Sequence, residues 1–377
     1  MTKAGYGKLA VFMGPGNPWE IREYPIPKPE PGAILGKVTL AGLCGSDLHD
    51  WRGDRAYQGI PEGGRIQGHE WAGTIDTLGE GVTADSLGNP IKPGDRIVSN
   101  QVVGCGTCKN CLNGDPNICG IRMRAYNTPG NSPETPPHFT GTFGDYFYIR
   151  PNQLVFKVPD ELTDEMIVPV NCAYGTVYQG LLKGEIKGGD SVVVMGAGGL
   201  GLAAIAFARD MGAGKIIAVD KLANRLELAK EFGADETIDA SQYESAESRI
   251  ERVWELTDNR GADLALELVG MSSILPECLR MTRFGGTSVE IGNVVIGRPV
   301  MIDPFDFIPE RKIVGSWMYK PSVIPKILDL LVRTQNTFPW HKLVSHRFKL
   351  TDITNAFKAA EWDGRDQVAV TRACLEP

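Results

Sequence analysis

At 377 residues the chain is long enough for two domains, or one large one, with a sizeable core, so disulfide staples are not needed. With 42% hydrophobic and 23% charged residues the composition is that of a folded globular protein. Thirty-nine basic residues against 46 acidic ones leave a net charge of −7, which argues against a non-specific nucleic-acid surface and against a polybasic membrane anchor.

The first twenty residues hold no apolar run of signal-peptide length, and no stretch approaches the roughly 20 apolar residues of a membrane span. A soluble, cytoplasmic protein is expected. Residues 8–170 read as short β segments broken by Gly and Pro, at 36–40, 71–78, 96–100 and 145–149. That spacing predicts a barrel-like or irregular all-β domain. The proline-rich stretch 128–137 reads as a surface loop.

Cysteines cluster inside this domain. Cys105, Cys108, Cys111 and Cys119 fall within fifteen residues as C-x2-C-x2-C-x7-C. Three sulfurs on a tight loop can converge on one tetrahedral ion, with a fourth returning to close the site. The ferredoxin run would place the fourth cysteine four residues on and follow it with proline. Here it lies eight on and is followed by Gly120, which favours a closed structural zinc site over an iron–sulfur cluster. Cys44-Gly-Ser46-Asp47-Leu-His49 and, 25 residues past Cys44, His69-Glu70 offer thiolate, imidazole and carboxylate. Cys172 opens the link to the second half. A thiolate, an imidazole and a further thiolate can hold zinc and leave one position open, although spacing alone does not unite these three. Cys278 and Cys374 have no partner at ligand spacing and read as buried, unreactive thiols.

From about residue 187 the texture changes. A continuous apolar run at 191–195 suits a fully buried parallel strand. It enters Gly196-Ala-Gly198-Gly199-Leu200-Gly201, and a helical stretch follows to about Met211. Strand-like segments at 215–219, 264–268 and 287–291 alternate with helical ones such as 224–232, which predicts a doubly wound parallel sheet. Gly196 allows the tight turn, Gly198 the approach of a pyrophosphate and Gly201 the packing of helix on strand. The helix N-terminus offers free N–H groups to the phosphates. Asp220, 19 residues past Gly201, can accept both hydroxyls of an adenine ribose and repels a 2′-phosphate, so NAD is expected over NADP. Lys221 and Arg225 are cations close enough to offset part of that repulsion. After about Trp317 comes one amphipathic stretch, 323–333, and a tail expected to return to the first domain.

GLCGSDLH (42–49), GHEWAG (68–73), GDRIV (94–98), the four-cysteine lobe and GAGGLG (196–201), in this order and spacing, resemble the zinc-dependent medium-chain alcohol dehydrogenases over essentially the whole chain. The resemblance implies an α/β protein: a chaperonin-10-like, mostly β catalytic domain (1–172, with 318–377 returning to it) around a central Rossmann domain (173–317), with the active site in the cleft between them. It implies two Zn2+ per chain. Cys44, His69 and Cys172 match the catalytic zinc ligands, and Cys105, Cys108, Cys111 and Cys119 the structural ones. Glu70 matches a carboxylate that can swing onto the metal, and Asp47 an acid that orients the ligand histidine. Ser46 matches the hydroxyl that bonds the substrate oxygen, and His49 the outer end of a proton relay. The implied activity is hydride transfer between an alcohol and NAD. The implied assembly is a homodimer or homotetramer, with no nucleic-acid or membrane partner.

Two positions depart from the pattern. Gly45 stands where some relatives carry a cation that touches the pyrophosphate. Val168-Pro169 stands where polyol-dehydrogenase-like relatives carry a glutamate before proline, which moves the expectation toward simple alcohols and away from sugars. Trp51 and Trp317, near segments that line the family's substrate cleft, suggest a large apolar wall and a secondary or cyclic alcohol; Gln101 lies just ahead of the lobe. Packing within a domain accounts for each tryptophan equally well. A polyol, sugar or threonine-type dehydrogenase is the alternative on the same scaffold. A non-catalytic zinc- and dinucleotide-binding protein is a more distant one. Lys109, Arg122 and Arg124 near the lobe are too few, on a negative chain without an aromatic platform, to suggest nucleic-acid recognition.

Overall fold

The computed structural model describes residues 3–54, 60–121, 132–361 and 370–377, so Arg122, Arg124 and the first part of the 128–137 loop lie outside the described residues. It divides into two compact units, one of Met1–Cys172, Lys320–Arg333 and Trp340–Pro377, the other of Ala173–Tyr319 and Thr334–Pro339. The sequence places 318–377 with the first domain; in the structure residues 318–319 and Thr334–Pro339 belong with the second unit.

The first unit begins with β1 (Tyr6–Phe12), β2 (Glu20–Pro25), β3 (Ile34–Gly42), β4 (Arg65–Ile66), β5 (Glu70–Leu78), β6 (Ile97–Ser99), β7 (Tyr146–Ile149) and β8 (Val155–Lys157). The second contains β9 (Ser191–Met195), β10 (Lys215–Asp220), β11 (Glu236–Asp239), β12 (Ala262–Glu267), β13 (Thr282–Glu290) and β14 (Lys312–Gly315). The tail adds β15 (His346–Lys349) and β16 (Ala373–Glu376) to the first unit.

In the first unit β3 is the hub: it pairs antiparallel with β5, β7 and β16. Its alternation explains why. Lys37 and Thr39 face outward between buried Gly36, Val38 and Leu40, the period-two pattern of a strand with one wet face. β1 joins β2 and β4 in a second sheet, and β6 pairs β8. The core between them is aromatic, with Phe12, Trp19, Phe143 and Phe357 ring to ring at 4.9–5.9 Å and fully buried Trp71 against Phe147 at 5.3 Å. Phe357 belongs to the Ile353–Ala360 helix of the tail, so the C-terminal return completes this core. The Val323–Thr334 helix also brings Val323, Ile324, Ile327, Leu328, Leu330 and Leu331 to burial on one face. Each such side chain contributes about 1.5–3 kcal/mol on leaving water.

In the second unit all six strands are parallel, in the order β11-β10-β9-β12-β13-β14. Strands added first on one side of β9 and then on the other make the doubly wound Rossmann arrangement, whose order reverses between β9 and β12. Ser191–Met195 forms β9 with only Ser191 short of full burial, as expected of a strand covered on both faces. Among the described residues no helix is long and apolar enough to cross a membrane.

Candidate metal centres and dinucleotide turn

Cys44 stands just ahead of the Gly45–Arg52 helix, in extended backbone (φ −89°, ψ 153°). Asp47, three residues on, accepts the Cys44 backbone N–H on Oδ2 at 2.9 Å and so fixes the helix entry. Its other oxygen lies 3.4 Å from His69 Nδ1. With Nδ1 facing a carboxylate, the lone pair sits on Nε2, which is buried with no hydrogen-bond partner. Cys172 lies in a π-helical turn, Val170–Tyr174, and its Sγ stands 3.8 Å from Cys44 Sγ. Its neighbour Asn171 donates from the side-chain amide to the His69 carbonyl at 2.5 Å, joining two segments 102 residues apart.

The ligand atoms of Cys44, His69, Glu70 and Cys172 all lie within 4.8 Å of one another. A tetrahedral zinc site with Zn–S arms of about 2.3 Å has edges of about 3.8 Å, so this sulfur pair is spaced for a shared ion and far too wide for a disulfide. Two soft thiols and an imidazole with an open acceptor are a donor set that suits zinc. The three side chains act on one another electrostatically, and the hydrogen bond to Cys44, with burial, pushes the Cys172 thiol well above its ordinary range. The hydrogen bond from Cys172, helped by His69, holds the Cys44 thiol well below its ordinary range despite burial. Burial pulls His69 down, but Asp47 and Cys44 outweigh it and raise the imidazole well above its usual value.

Glu70 is wholly buried, paired with Arg372 across 302 residues of sequence, and its Oε1 has no partner. Burial pushes its carboxyl up to about 7, against the pull of Arg372. A side chain at Gly42 would begin 2.5 Å from Glu70 Oε2, so a glycine there leaves the carboxylate its place. Arg372 immediately precedes β16, which pairs Cys374 with Gly42. Sequence reasoning missed Arg372, Asn171 and the pairing of His49 with Asp54. Their only trace is a charged or polar residue bordering an apolar segment.

In the lobe, the ligand sulfurs of Cys105, Cys108, Cys111 and Cys119 lie within 4.8 Å of one another, with Cys105–Cys111 at 3.9 Å and Cys108–Cys119 at 3.8 Å, again the edges of a tetrahedron. Backbone N–H groups of Cys105 and Cys108 point at Cys119 Sγ (3.4 Å) and Cys105 Sγ (3.3 Å). N–H and hydroxyl donors, Thr107 first, lower the Cys105 thiol to about 6, whereas burial and its fellow thiols push Cys111 up to about 11. The four residues fit a closed zinc site. Cys278 and Cys374 are fully buried, as their isolation suggested.

In the second unit Gly196 turns at φ 95°, in the left-handed region that glycine tolerates. Gly198 caps the Gly199–Asp210 helix, and a Cβ on Gly201 would meet the Gly196 carbonyl at 1.9 Å. Asp220, at the end of β10, accepts Ala197 N–H at 2.8 Å and Leu222 N–H at 3.0 Å, one on each carboxylate oxygen. Each oxygen keeps a second lone pair for a ribose hydroxyl. Arg225 reaches within 3.6 Å of Asp220 and passes over Gly198. Leu200 lies in the first turn of the helix, and Lys221, next to Asp220, is exposed.

Ser46 and His49 share the Gly45–Arg52 helix with Asp47, and His49 is 3% exposed. Trp51 packs on Phe357 at 5.5 Å and Phe12 at 6.5 Å in the core, whereas Trp317 is 57% exposed. Gln101 is half-buried.

Comparison with known proteins decides the family. Residues 30–160 match the alcohol dehydrogenase GroES-like domain and residues 199–333 the zinc-binding dehydrogenase domain. A 5-exo-hydroxycamphor dehydrogenase from Pseudomonas putida is 32% identical over 94% of this chain and 95% of its own. The chain belongs to the zinc-dependent medium-chain alcohol dehydrogenases. An alcohol dehydrogenase from Thermotoga maritima superposes with a TM-score of 0.87 at 29% identity, covering 99% of both chains. A putative zinc-binding dehydrogenase from Sinorhizobium meliloti, bound to NADP, superposes at 0.80 with 25% identity over 99% of both. This alcohol dehydrogenase is therefore an oxidoreductase acting on alcohols, with zinc and a nicotinamide dinucleotide as its cofactors.

Proposed function

We propose that the protein oxidises a secondary, cyclic or otherwise apolar alcohol to its carbonyl compound with NAD, using one catalytic and one structural zinc ion per chain. The observation that carries the reading is the convergence of Cys44, His69 and Cys172 in the first unit. Zinc held by these three would act as a Lewis acid on the alcohol hydroxyl, and the nicotinamide would take the hydride. Asp47 keeps His69 in the ligating tautomer. Ser46, two residues past Cys44, is the hydroxyl that holds the substrate oxygen, and His49, one helical turn on, is the base that takes the proton. Glu70, with its proton loosely held near neutrality, stands beside the ligands as an exchangeable carboxylate.

For NAD over NADP the support is Asp220, a buried carboxylate where a 2′-phosphate would have to sit. For an apolar alcohol it is the absence of a glutamate at Val168 and the hydroxycamphor in the name of the P. putida relative. Eight cysteines without a disulfide suit a reducing cytoplasm. A homo-oligomer through the open edge of β14 is supported by the exposed apolar side chains ahead of it, Ile296, Met301 and Phe305. The test is reduction of NAD and of NADP at 340 nm by zinc-quantified protein across primary, secondary, cyclic, aromatic and polyol alcohols. Turnover of apolar secondary or cyclic alcohols with NAD supports the reading. Preference for polyols moves the assignment to a polyol dehydrogenase.

A further inference from the structure

The Gly45–Arg52 helix ends in a left-handed residue, Gly53 (φ 76°), and the turn carries Asp54 back along the helix so that its N–H donates to the His49 carbonyl at 2.9 Å. The same turn brings Asp54 Oδ2 to 2.9 Å from His49 Nδ1. Arg52 clamps the arrangement: its Nη1 lies 3.8 Å from Asp54 and its Nε donates to Glu361 at 2.8 Å.

We propose that Asp54 is a positioning residue of the proton relay, holding His49 in the Nδ1–H tautomer and strengthening it as a base. The proposal rests on the reading of His49 as the relay's outer end. A neutral imidazole carries one ring proton. With Nδ1–H donating to Asp54, the lone pair is on Nε2, the atom that accepts a proton. Accepting it makes an imidazolium 2.9 Å from a carboxylate in a nearly water-free place, since the His49 side chain is 4% and that of Asp54 18% exposed. The ion pair stabilises the protonated ring, and loss of the Nε2 proton to water restores the starting tautomer. Arg52, itself anchored by Glu361, is the cation beside Asp54 that keeps the carboxylate in place. Among the described residues the other charged neighbours on the helix are Asp50, which accepts from Gln67 at 3.5 Å, and Asp47, engaged with Cys44 and His69.

The test is Asp54→Asn, with Asp54→Glu as the conservative variant, in zinc-loaded protein labelled with 15N-histidine. The chain has five histidines, so the His49 signal is assigned by its loss in His49→Gln. In the parent, His49 is expected in the Nδ1–H form. Asp54→Asn is expected to lower its titration midpoint by about one pH unit. The acid limb of kcat for alcohol oxidation should move down by the same unit, while the maximal rate falls about threefold because the base is weaker. Asp54→Glu should restore both, and zinc content should not change. An Nε2–H tautomer in the parent overturns the proposal. So does a midpoint and acid limb left in place by Asp54→Asn in protein that folds and binds zinc. The nitrogen signals need no turnover. A protein that shows the tautomer and the shift but oxidises no alcohol supports the pair and overturns the functional reading instead.

Discussion

Replacing Glu267 by Gln should make the protein less sensitive to alkaline pH. Glu267 ends β12, is wholly buried, and faces Glu290 at the paired position of β13. Its Oε1 accepts the N–H groups of Val269 and Gly270, each at 2.8 Å, and Asn293 donates to Oε2 at 3.3 Å and to Glu290 at 3.1 Å. Burial first, and the neighbouring Glu290 second, push its carboxyl up to about 8 from an ordinary 4.5. A carboxyl raised in the fold is a proton the unfolded chain gives up more easily. Its contribution is fully present below pH 4.5 and is lost as pH climbs through 8. Integrated over that window, the loss between pH 6 and 9 is about 2–3 kcal/mol. Glutamine keeps the acceptor for the two amides and presents N–H to Glu290, giving up the 3.3 Å bond from Asn293, and it has no proton to lose as pH rises. The assay is thermal unfolding of both proteins from pH 6 to 9. The melting temperature of the Gln variant should gain on the parent by a few degrees across the range. Parallel curves, or a variant that falls behind above pH 8, would refute the reasoning.

Three further outcomes follow from named contacts. Arg249 grips buried Glu277 with two bonds, at 2.7 and 2.8 Å, so Arg249→Leu should cost about 3 kcal/mol by stranding that carboxylate. Adding Glu277→Leu should recover most of the loss in denaturant titrations, and an equally unstable double variant would contradict this account. Cys119→Ser should remove one zinc ion per chain by elemental analysis and lower the melting temperature while Cys44, His69 and Cys172 keep theirs; loss of neither ion would mean that the lobe binds no zinc. Asp220→Asn should improve NADPH binding relative to NADH on the order of tenfold in fluorescence titrations, since a charge facing the 2′-phosphate is removed. An unchanged ratio would place the discrimination elsewhere.

What was legible in the sequence is what short-range chemistry controls. The run at 191–195 becomes β9 because four consecutive apolar residues suit only a strand covered on both faces. The glycine turn after it was readable because Gly196 and Gly201 answer steric demands that another residue would fail. The four-cysteine lobe was readable because its ligands lie within one loop. Strands β1, β2, β4, β8, β11 and β14 to β16 were not singled out; all but β1 are two to six residues long, too short to show a periodicity of their own. β16, for instance, pairs both with β15 and with β3 more than 300 residues earlier, a partner no local pattern announces. The catalytic constellation shows the same division. Cys44 at the cap, and Asp47 and His49 on the short helix behind it, announce themselves, but nothing local links them to Cys172 or to Arg372. Only family resemblance united the first pair, and only the fold revealed the second. The Glu70–Arg372 pair could not be read from spacing because its energy comes from burial, and burial is a property of the assembled sheet. Asp54 was hidden differently. It is five residues from His49, within easy reach of a sequence argument, yet an acid after a helix is ordinarily a solvated one. The left-handed turn at Gly53 is what directs that carboxylate inward to the ring, and turn handedness becomes visible only once the backbone is traced.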